Sequence, residues 1–476
     1  MPFELTAGQR SVLEDISGDL TRDEPMNRLL QGEVGSGKTV VALLAMLQVL
    51  DAGRQCVMLA PTEVLAVQHH RSLHALLGDL ADAGRLGAAD EATRVVLLTG
   101  SMSTAERRRA LLDIVTGEAG IIVGTHALIQ DSVDFFDLGL VVVDEQHRFG
   151  VRQRDRLRAK GRAGMVPHLL VMTATPIPRT IAMTVFGDLE VSELGELPGG
   201  RRPISTSVVP ARERPRWLER TWERVREEVE AGNRAYVVCA RIDPDGADGA
   251  SGSPEDGGAG GGQYDDDKGG DRPPLVAAVE LHQHLSSGPL AGLRVGLMHG
   301  RLPPEEKDST MSAFAAGALD VLVSTTVIEV GVDVPQATVM VVMDADRFGV
   351  SQLHQLRGRV GRGGLPGLCL LVTNASATSP SMERLSAVAA TTDGFALAQL
   401  DLAQRREGDV LGAAQSGVLS TLRLLSVVDD GEVIGIARDH AERLLDADPG
   451  LHSHPALAER VRRLAGSEES DYLFRY

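Results

Sequence analysis

Three clusters of residues in this chain have the types and spacings that phosphate chemistry needs. The first is GEVGSGKT at residues 32–39, which fits G-x-x-x-x-G-K-[ST]. Gly32, Gly35 and Gly37 let the backbone turn tightly around Ser36, so that its N–H groups point at phosphate oxygens at the positive end of the following helix. Lys38 supplies a point charge for the β- and γ-phosphates, and Thr39 a hydroxyl for Mg²⁺. The second cluster, Asp144-Glu145-Gln146-His147, closes an apolar run. A carboxylate there can hold Mg²⁺ and the next can orient the attacking water, which assigns Asp144 to the metal and Glu145 to the water. The third is QLRGRVGR at residues 355–362. Glycines at 358 and 361 allow a tight backbone carrying several guanidinium groups, so Gln355, Arg359 and Arg362 are candidate catalytic residues, the two arginines as fingers supplied in cis. Together these clusters imply ATP and Mg²⁺ as cofactors of a hydrolytic reaction.

Such residues work only if strand ends hold them. The loop sits between an apolar run at 27–31 and a helical run at 40–50, the strand–loop–helix context that the chemistry requires. Further apolar runs at 55–60, 95–99, 120–124, 138–143 and 169–173 alternate with helical segments. Thr6 is placed to cap a first helix, and Ser103 with Glu106 forms a capping box for another. Nearly continuous apolar strands separated by helices predict a parallel sheet covered on both faces, so residues 1–196 read as one nucleotide-binding α/β domain. Thr173-Ala174-Thr175-Pro176 should then bring its hydroxyls to the same sheet edge, as a relay between nucleotide and a second ligand.

Turn formers at 197–203 mark a break. A second series follows, with apolar runs at 234–240, 293–298, 320–324, 338–343 and 367–372 and no second phosphate loop, so residues 203–372 form a second α/β domain. Residues 243–271 interrupt it with a glycine-rich stretch holding nine acids against one lysine, predicted to be a disordered surface insertion. Residues 373–476 turn helical, with a charged, glycine-punctuated loop at 405–417. The predicted class is α/β, two tandem parallel-sheet domains followed by a small C-terminal helical region.

Composition narrows the setting. With 476 residues the chain is too long for one core, and with 43% hydrophobic but 3% aromatic residues its interior must be aliphatic. A net charge of −18 argues against a protein that coats nucleic acid through general basicity, though a local basic cleft remains compatible with it. Cys56, Cys239 and Cys369 are far apart and in apolar runs, which fits a reducing compartment rather than zinc or disulfides. No apolar run reaches membrane-spanning length and the first residues lack a leader pattern, so a soluble, cytoplasmic protein is expected.

In order and spacing, MNRLLQGEVGSGKTVVA from Met26, APTEVLAVQH from Ala60, DEQHRFGVRQR from Asp144, TATPIPRT from Thr173, STTVIEVGVDVP from Ser324 and DRFGVSQLHQLRGRVGRG from Asp346 resemble superfamily-two helicases of the DExH type. Within them the chain is most similar to the RecG family, in its ATPase portion. The resemblance implies two RecA-like domains and an ATP-dependent DNA helicase or translocase acting on stalled forks and Holliday junctions in recombination and repair. An RNA helicase is the alternative. Gln9, with Phe3 nearby, resembles an adenine-recognising motif. Thr62, Thr99, Gly100, Thr125, His126, His299 and Thr325 match segments that touch the nucleic-acid backbone, and Gly331 and Asp333 match a nucleotide-sensing segment. The loop at 405–417, with Arg405 and Gln415, resembles the family's translocation motif, but Ala414 stands where an arginine is usual, so the resemblance implies ATP binding more firmly than it implies the strength of coupling. Expected partners are branched or duplex DNA and a single-stranded-DNA-binding protein, with no membrane, the chain itself being a monomer. No segment resembling the family's N-terminal wedge domain is seen, so the sequence is expected to be either a piece of a longer protein or a core whose branch specificity is reduced or supplied by a partner. By itself it is expected to hydrolyse ATP and to reverse forks poorly, leaving open a core that binds DNA without remodelling it.

Overall fold

Strands buried on both faces must be apolar at every position, and this is how the interior of each sheet is built. The computed structural model describes residues 4–81, 83, 89, 92–130, 132–144, 160–161, 165–173, 189–196, 204–242, 276–325, 334–404 and 430–465. The chain divides into two compact units, one of Met1–Gly32, Lys38–Leu194 and Leu402–Tyr476, the other of Glu33–Gly37 and Gly195–Asp401.

The first unit runs α1 (Ala7–Leu20), β1 (Asn27–Gly32), α2 (Lys38–Asp51), β2 (Gln55–Leu59), α3 (Glu63–Leu77), β3 (Arg94–Leu98), α4 (Thr104–Val115), β4 (Ala119–Gly124), β5 (Leu138–Asp144), β6 (His168–Thr173) and β7 (Glu190–Leu194). Its seven-stranded sheet has the order β3-β4-β2-β5-β6-β1-β7, and its pairings are parallel. Leu29, Val57, Leu59, Val96, Leu98, Ile122, Val141, Val143 and Val171 form one covered face with Ala110 and Ile114 of α4. The helix starts follow local chemistry. Thr6 and Gln9 form a capping box at α1, Ser103 and Glu106 another at α4, and the Thr62 hydroxyl accepts from Leu65 N to cap α3.

Arg28, buried on β1, ties this unit's edge together. Its Nε donates to Asp19 Oδ2 of α1 at 2.7 Å and its Nη1 to Ser192 Oγ of β7 at 2.6 Å, while Nη2 meets the Glu190 carboxylate. The strand that delivers the phosphate loop is thereby pinned on one side by a helix and on the other by β7.

The second unit runs β8 (Ile204–Pro210), α5 (Pro215–Glu230), β9 (Arg234–Val238), α6 (Ala278–Ser287), β10 (Val295–Met298), α7 (Pro304–Ala316), β11 (Val321–Ser324), β12 (Ala337–Val342), α8 (Val350–Arg357), β13 (Gly367–Thr373), α9 (Pro380–Ala390) and α10 (Gly394–Gln404). Its six-stranded sheet has the order β10-β11-β9-β12-β13-β8, again parallel. Alternate strand residues fall into two separate cores. Tyr236, Val238, Met340 and Val342 face one layer, and Ala235, Val237, Val339 and Val341 the other. The final helices, α11 (Gly431–Ala447) and α12 (Pro455–Ala465), fall within the first unit, whereas α9 belongs to the second and the division falls inside α10, after Asp401.

The two-sheet parallel α/β class predicted from the apolar runs is what the chain adopts. The insertion at 243–271 and the loop at 405–417 lie outside the described residues. Cys56, Cys239 and Cys369 are buried and free, and burial pushes the thiols of Cys239 and Cys369 up to about 12. Among the described residues no helix is long and apolar enough to cross a membrane.

Candidate nucleotide site

Parallel strands end on one edge, and most of the first unit's candidate residues gather there in two adjoining groups. β5, β6 and β1 are neighbours, and their C-terminal ends carry Asp144, Thr173 and Gly32. Register fixes the alignment: Asp144 pairs with Met172, and Gln31 with Thr173. Ligands of open α/β sheets bind outside such carboxyl ends.

From Gly32 the chain enters the loop. Gly35 and Gly37 have φ of 88° and 87°, a region that an L side chain enters only with strain. Ser36 is fully buried, with its N–H donating to Glu33 O at 3.1 Å. Lys38 opens α2, its Nζ donating to Gly32 O at 2.8 Å, so the ammonium is folded over the loop it would serve. Gly37→Ala should weaken binding of a non-hydrolysable ATP analogue about tenfold, because forcing an L residue into this backbone region costs about 1–2 kcal/mol. Calorimetric titration showing an unchanged Kd would remove the phosphate-cradle reading.

Among the described residues, the donors at this edge suited to a metal are hard oxygens. Thr39 offers a hydroxyl in the first turn of α2 and Asp144 a partly buried carboxylate at the end of β5. That set suits Mg²⁺, which takes one or two protein oxygens, keeps water and shares phosphate oxygens. Asp144 Oδ2 also receives a hydrogen bond from the buried His69 of α3, at 2.7 Å from Nε2.

The second group lies at the ends of β2, β4 and β3, the neighbouring strands on the same edge. Thr62 follows β2, Thr125 and the exposed His126 follow β4, and Thr99 and Gly100 follow β3. Glu63 joins two of these segments: its carboxylate accepts from Gly100 N at 2.8 Å, from Ser101 N at 3.1 Å and from the Ser101 hydroxyl. Gln9, by contrast, is buried as the N3 residue of α1, its Oε1 accepting from Thr6 N at 3.0 Å.

In the second unit, His299 follows β10 and the buried Thr325 follows the adjacent β11, where its N–H donates to Met298 O at 3.3 Å. Gln355 is buried on α8, with Arg359 and Arg362 just beyond that helix. Arg362 Nε donates to Gly358 O at 3.0 Å. Arg357 has a different job from its motif neighbours. It is 2% exposed, its Nη1 donates to Val388 O and Thr391 O at 2.9 and 2.7 Å, and its Nη2 meets His354 Nδ1 at 2.6 Å. Burial pulls its pKa below the usual arginine value, and its geometry anchors α8 to the end of α9. Phe3, Glu145, Gly331, Asp333, Arg405 and Gln415 lie outside the described residues.

Sequence spacing misses His69, Glu63 and the anchoring role of Arg357. His69 stands two helical turns after Thr62, on the same face of α3, a signal that only gains meaning once β5 is known to lie beside β2.

The comparisons with known proteins agree with this fold. Residues 6–184 match the DEAD/DEAH box helicase model, 275–364 the helicase conserved C-terminal domain, and 391–465 the C-terminal part of domain 3 of the ATP-dependent DNA helicase RecG. The chain is 56% identical over 475 residues to an ATP-dependent DNA helicase RecG of Mycobacterium leprae, covering 99% of this chain and 62% of that one. A RecG of Synechocystis is 46% identical, over 98% of this chain and 51% of its own length. Among solved structures, a RecG bound to a three-way DNA junction superposes with a TM-score of 0.68 at 38% identity, covering 91% of this chain and 51% of that one. Saccharomyces cerevisiae Dbp5 bound to RNA and ADP BeF3 shares the fold, with a TM-score of 0.53 at 18% identity over 85% of this chain and 93% of its own. The chain thus spans less than two thirds of the length of these RecG relatives. Over almost its whole length it is similar to the RecG helicases, matching them in their helicase portion.

Proposed function

We propose that this chain is an ATP-dependent DNA helicase or translocase that remodels branched DNA, such as stalled forks and Holliday junctions, in recombination and repair. The observation that carries this reading is its 56% identity to a RecG helicase across 99% of the chain. The phosphate loop after β1 and Asp144 at the end of β5 support the ATPase half of it.

In this mechanism Gly35, Gly37 and the loop N–H groups hold the β- and γ-phosphates, Lys38 neutralises them, and Gln9 with Phe3 receives the adenine. Thr39 and Asp144 would hold Mg²⁺, which would supply charge neutralisation at the phosphates. Glu145 orients the attacking water, and Gln355, Arg359 and Arg362 stabilise charge developing on the transferred phosphoryl group. Gly331 and Asp333 sense the nucleotide. Thr62, Thr99, Gly100, Thr125, His126, His299 and Thr325 contact the nucleic-acid backbone, so binding is indifferent to base sequence. Residues 1–196 and 203–372 are the two motor domains. Residues 373–476 form the helical region whose loop at 405–417, with Arg405 and Gln415, couples hydrolysis to movement along duplex DNA. The setting is cytoplasmic, supported by three buried free thiols, and the chain acts as a monomer alongside a single-stranded-DNA-binding protein.

The test is stimulation of ATP hydrolysis by forked DNA, plain duplex and RNA of matched length. Forked DNA should stimulate most. RNA as the preferred activator would replace the reading with an RNA helicase, and no response to any nucleic acid would discard both. Fork unwinding by the same protein is scored separately: hydrolysis without unwinding would reduce the chain to a DNA-binding ATPase core.

A further inference from the structure

A carboxylate that holds a hydrated metal must keep its plane fixed, yet the terminal torsion of aspartate is soft and broad. In this chain one buried side chain supplies the restraint. His69 Nε2 lies 2.7 Å from Asp144 Oδ2. An ionised carboxylate only accepts, so Nε2 carries the hydrogen and the imidazole is the donor.

The helix that brings His69 there is itself firmly seated. Leu73 and Leu77 of α3 are buried, and His70 Nε2 meets Val95 O of β3 at 3.2 Å. At its first turn Glu63 grips the N–H groups of Gly100 and Ser101 beyond β3, and Thr62 caps the helix. One short helix therefore has the candidate nucleic-acid segments at its start and the candidate metal carboxylate two turns on.

We infer that His69 is a positioning residue: it holds the Asp144 carboxylate in the orientation that a hydrated divalent cation needs, and makes that orientation depend on the seat of α3 between the Thr62 and Gly100 segments. The inference rests on the reading of Asp144 as the metal carboxylate. Outer partners of this kind commonly change metal affinity about 10–100-fold when removed. His69 touches neither nucleotide nor metal in this scheme and acts only through Asp144.

Mg²⁺ titrations of fluorescent non-hydrolysable ATP-analogue binding test it, on the full chain, with EDTA as the metal-free arm. His69→Leu and His69→Phe should each raise the Mg²⁺ concentration at half-maximal binding about tenfold, while binding in EDTA stays at the parental level. His69→Gln, whose amide can still donate to the carboxylate, should restore most of the loss. Melting in EDTA identifies which variants are folded, and either apolar variant suffices for the comparison. Forked DNA should lower the Mg²⁺ midpoint of the parent but not of the apolar variants. A parental midpoint in the folded apolar variants, with Asp144→Asn shifted, would overturn the inference alone. A parental midpoint in Asp144→Asn as well would overturn the reading of Asp144. A DNA-dependent shift equal in parent and apolar variants would overturn the link through α3.

Discussion

Lys38→Ala should lower DNA-stimulated ATP turnover by about a hundredfold to a thousandfold, the usual cost of deleting one preorganised charge stabiliser. The size of the effect follows from where the ammonium sits. Lys38 is the first residue of α2, between Gly37 with its positive φ and the helix N-terminus, and its Nζ already reaches back to Gly32 O at 2.8 Å. Bringing it onto phosphate oxygens exchanges one acceptor for another and needs no refolding of the loop. Lys38→Arg should fail nearly as badly, because a planar fork cannot replace a compact point charge under a tight loop. Steady-state hydrolysis with saturating forked DNA is the measurement. Turnover of Lys38→Ala indistinguishable from the parent would remove the loop from the reaction.

Arg28→Ala should destabilise the first unit by about 3 kcal/mol, since deleting one partner of a buried ion pair strands the other charge. Three groups lose their donor together: Asp19 on α1, and Ser192 and Glu190 on β7. Asp19 is itself buried, so its carboxylate suffers most. For a unit of this size the loss corresponds to a fall in Tm of about 6–12 °C. Replacing the pair by apolar residues, Arg28→Met with Asp19→Leu, should recover much of that, because the desolvation cost leaves with the charges. Differential scanning calorimetry of the single and double variants decides it. An Arg28→Ala protein that melts with the parent would show the network to be dispensable.

Both sheets were legible in the sequence because parallel strands buried on two faces must be apolar throughout, as GIIVG at 120–124 and TVMVV at 338–342 are. The edge strands β7 and β8 were not. Glu190–Leu194 and Ile204–Pro210 are half-covered, mix polar with apolar residues without a continuous apolar run, and flank a turn-rich break that masks them. Helices after residue 372 announced themselves, but an amphipathic stripe states only that one face is covered, not by what. That α11 and α12 fall in the first unit and α9 in the second, with the division inside α10, is set by the packing and not by the stripe. At the candidate site the loop glycines, Lys38 and Asp144 were legible because each follows a strand end at a diagnostic spacing. Arg357 was not, because within QLRGRVGR nothing distinguishes an arginine that anchors helix ends from its neighbours at 359 and 362.

The placement of β1 also constrains how the chain comes into being. It is the first strand of its sheet to leave the ribosome, yet both its neighbours, β6 and β7, are encoded far downstream. Arg28 finds Ser192 across 164 positions of sequence. Synthesis proceeds at about 5–20 residues per second. For many seconds, therefore, Leu29 and Leu30, fully buried in the finished sheet, have no strand to join. The seat of the phosphate loop is among the last in its sheet to be filled, and any ribosome stall before β7 leaves it open.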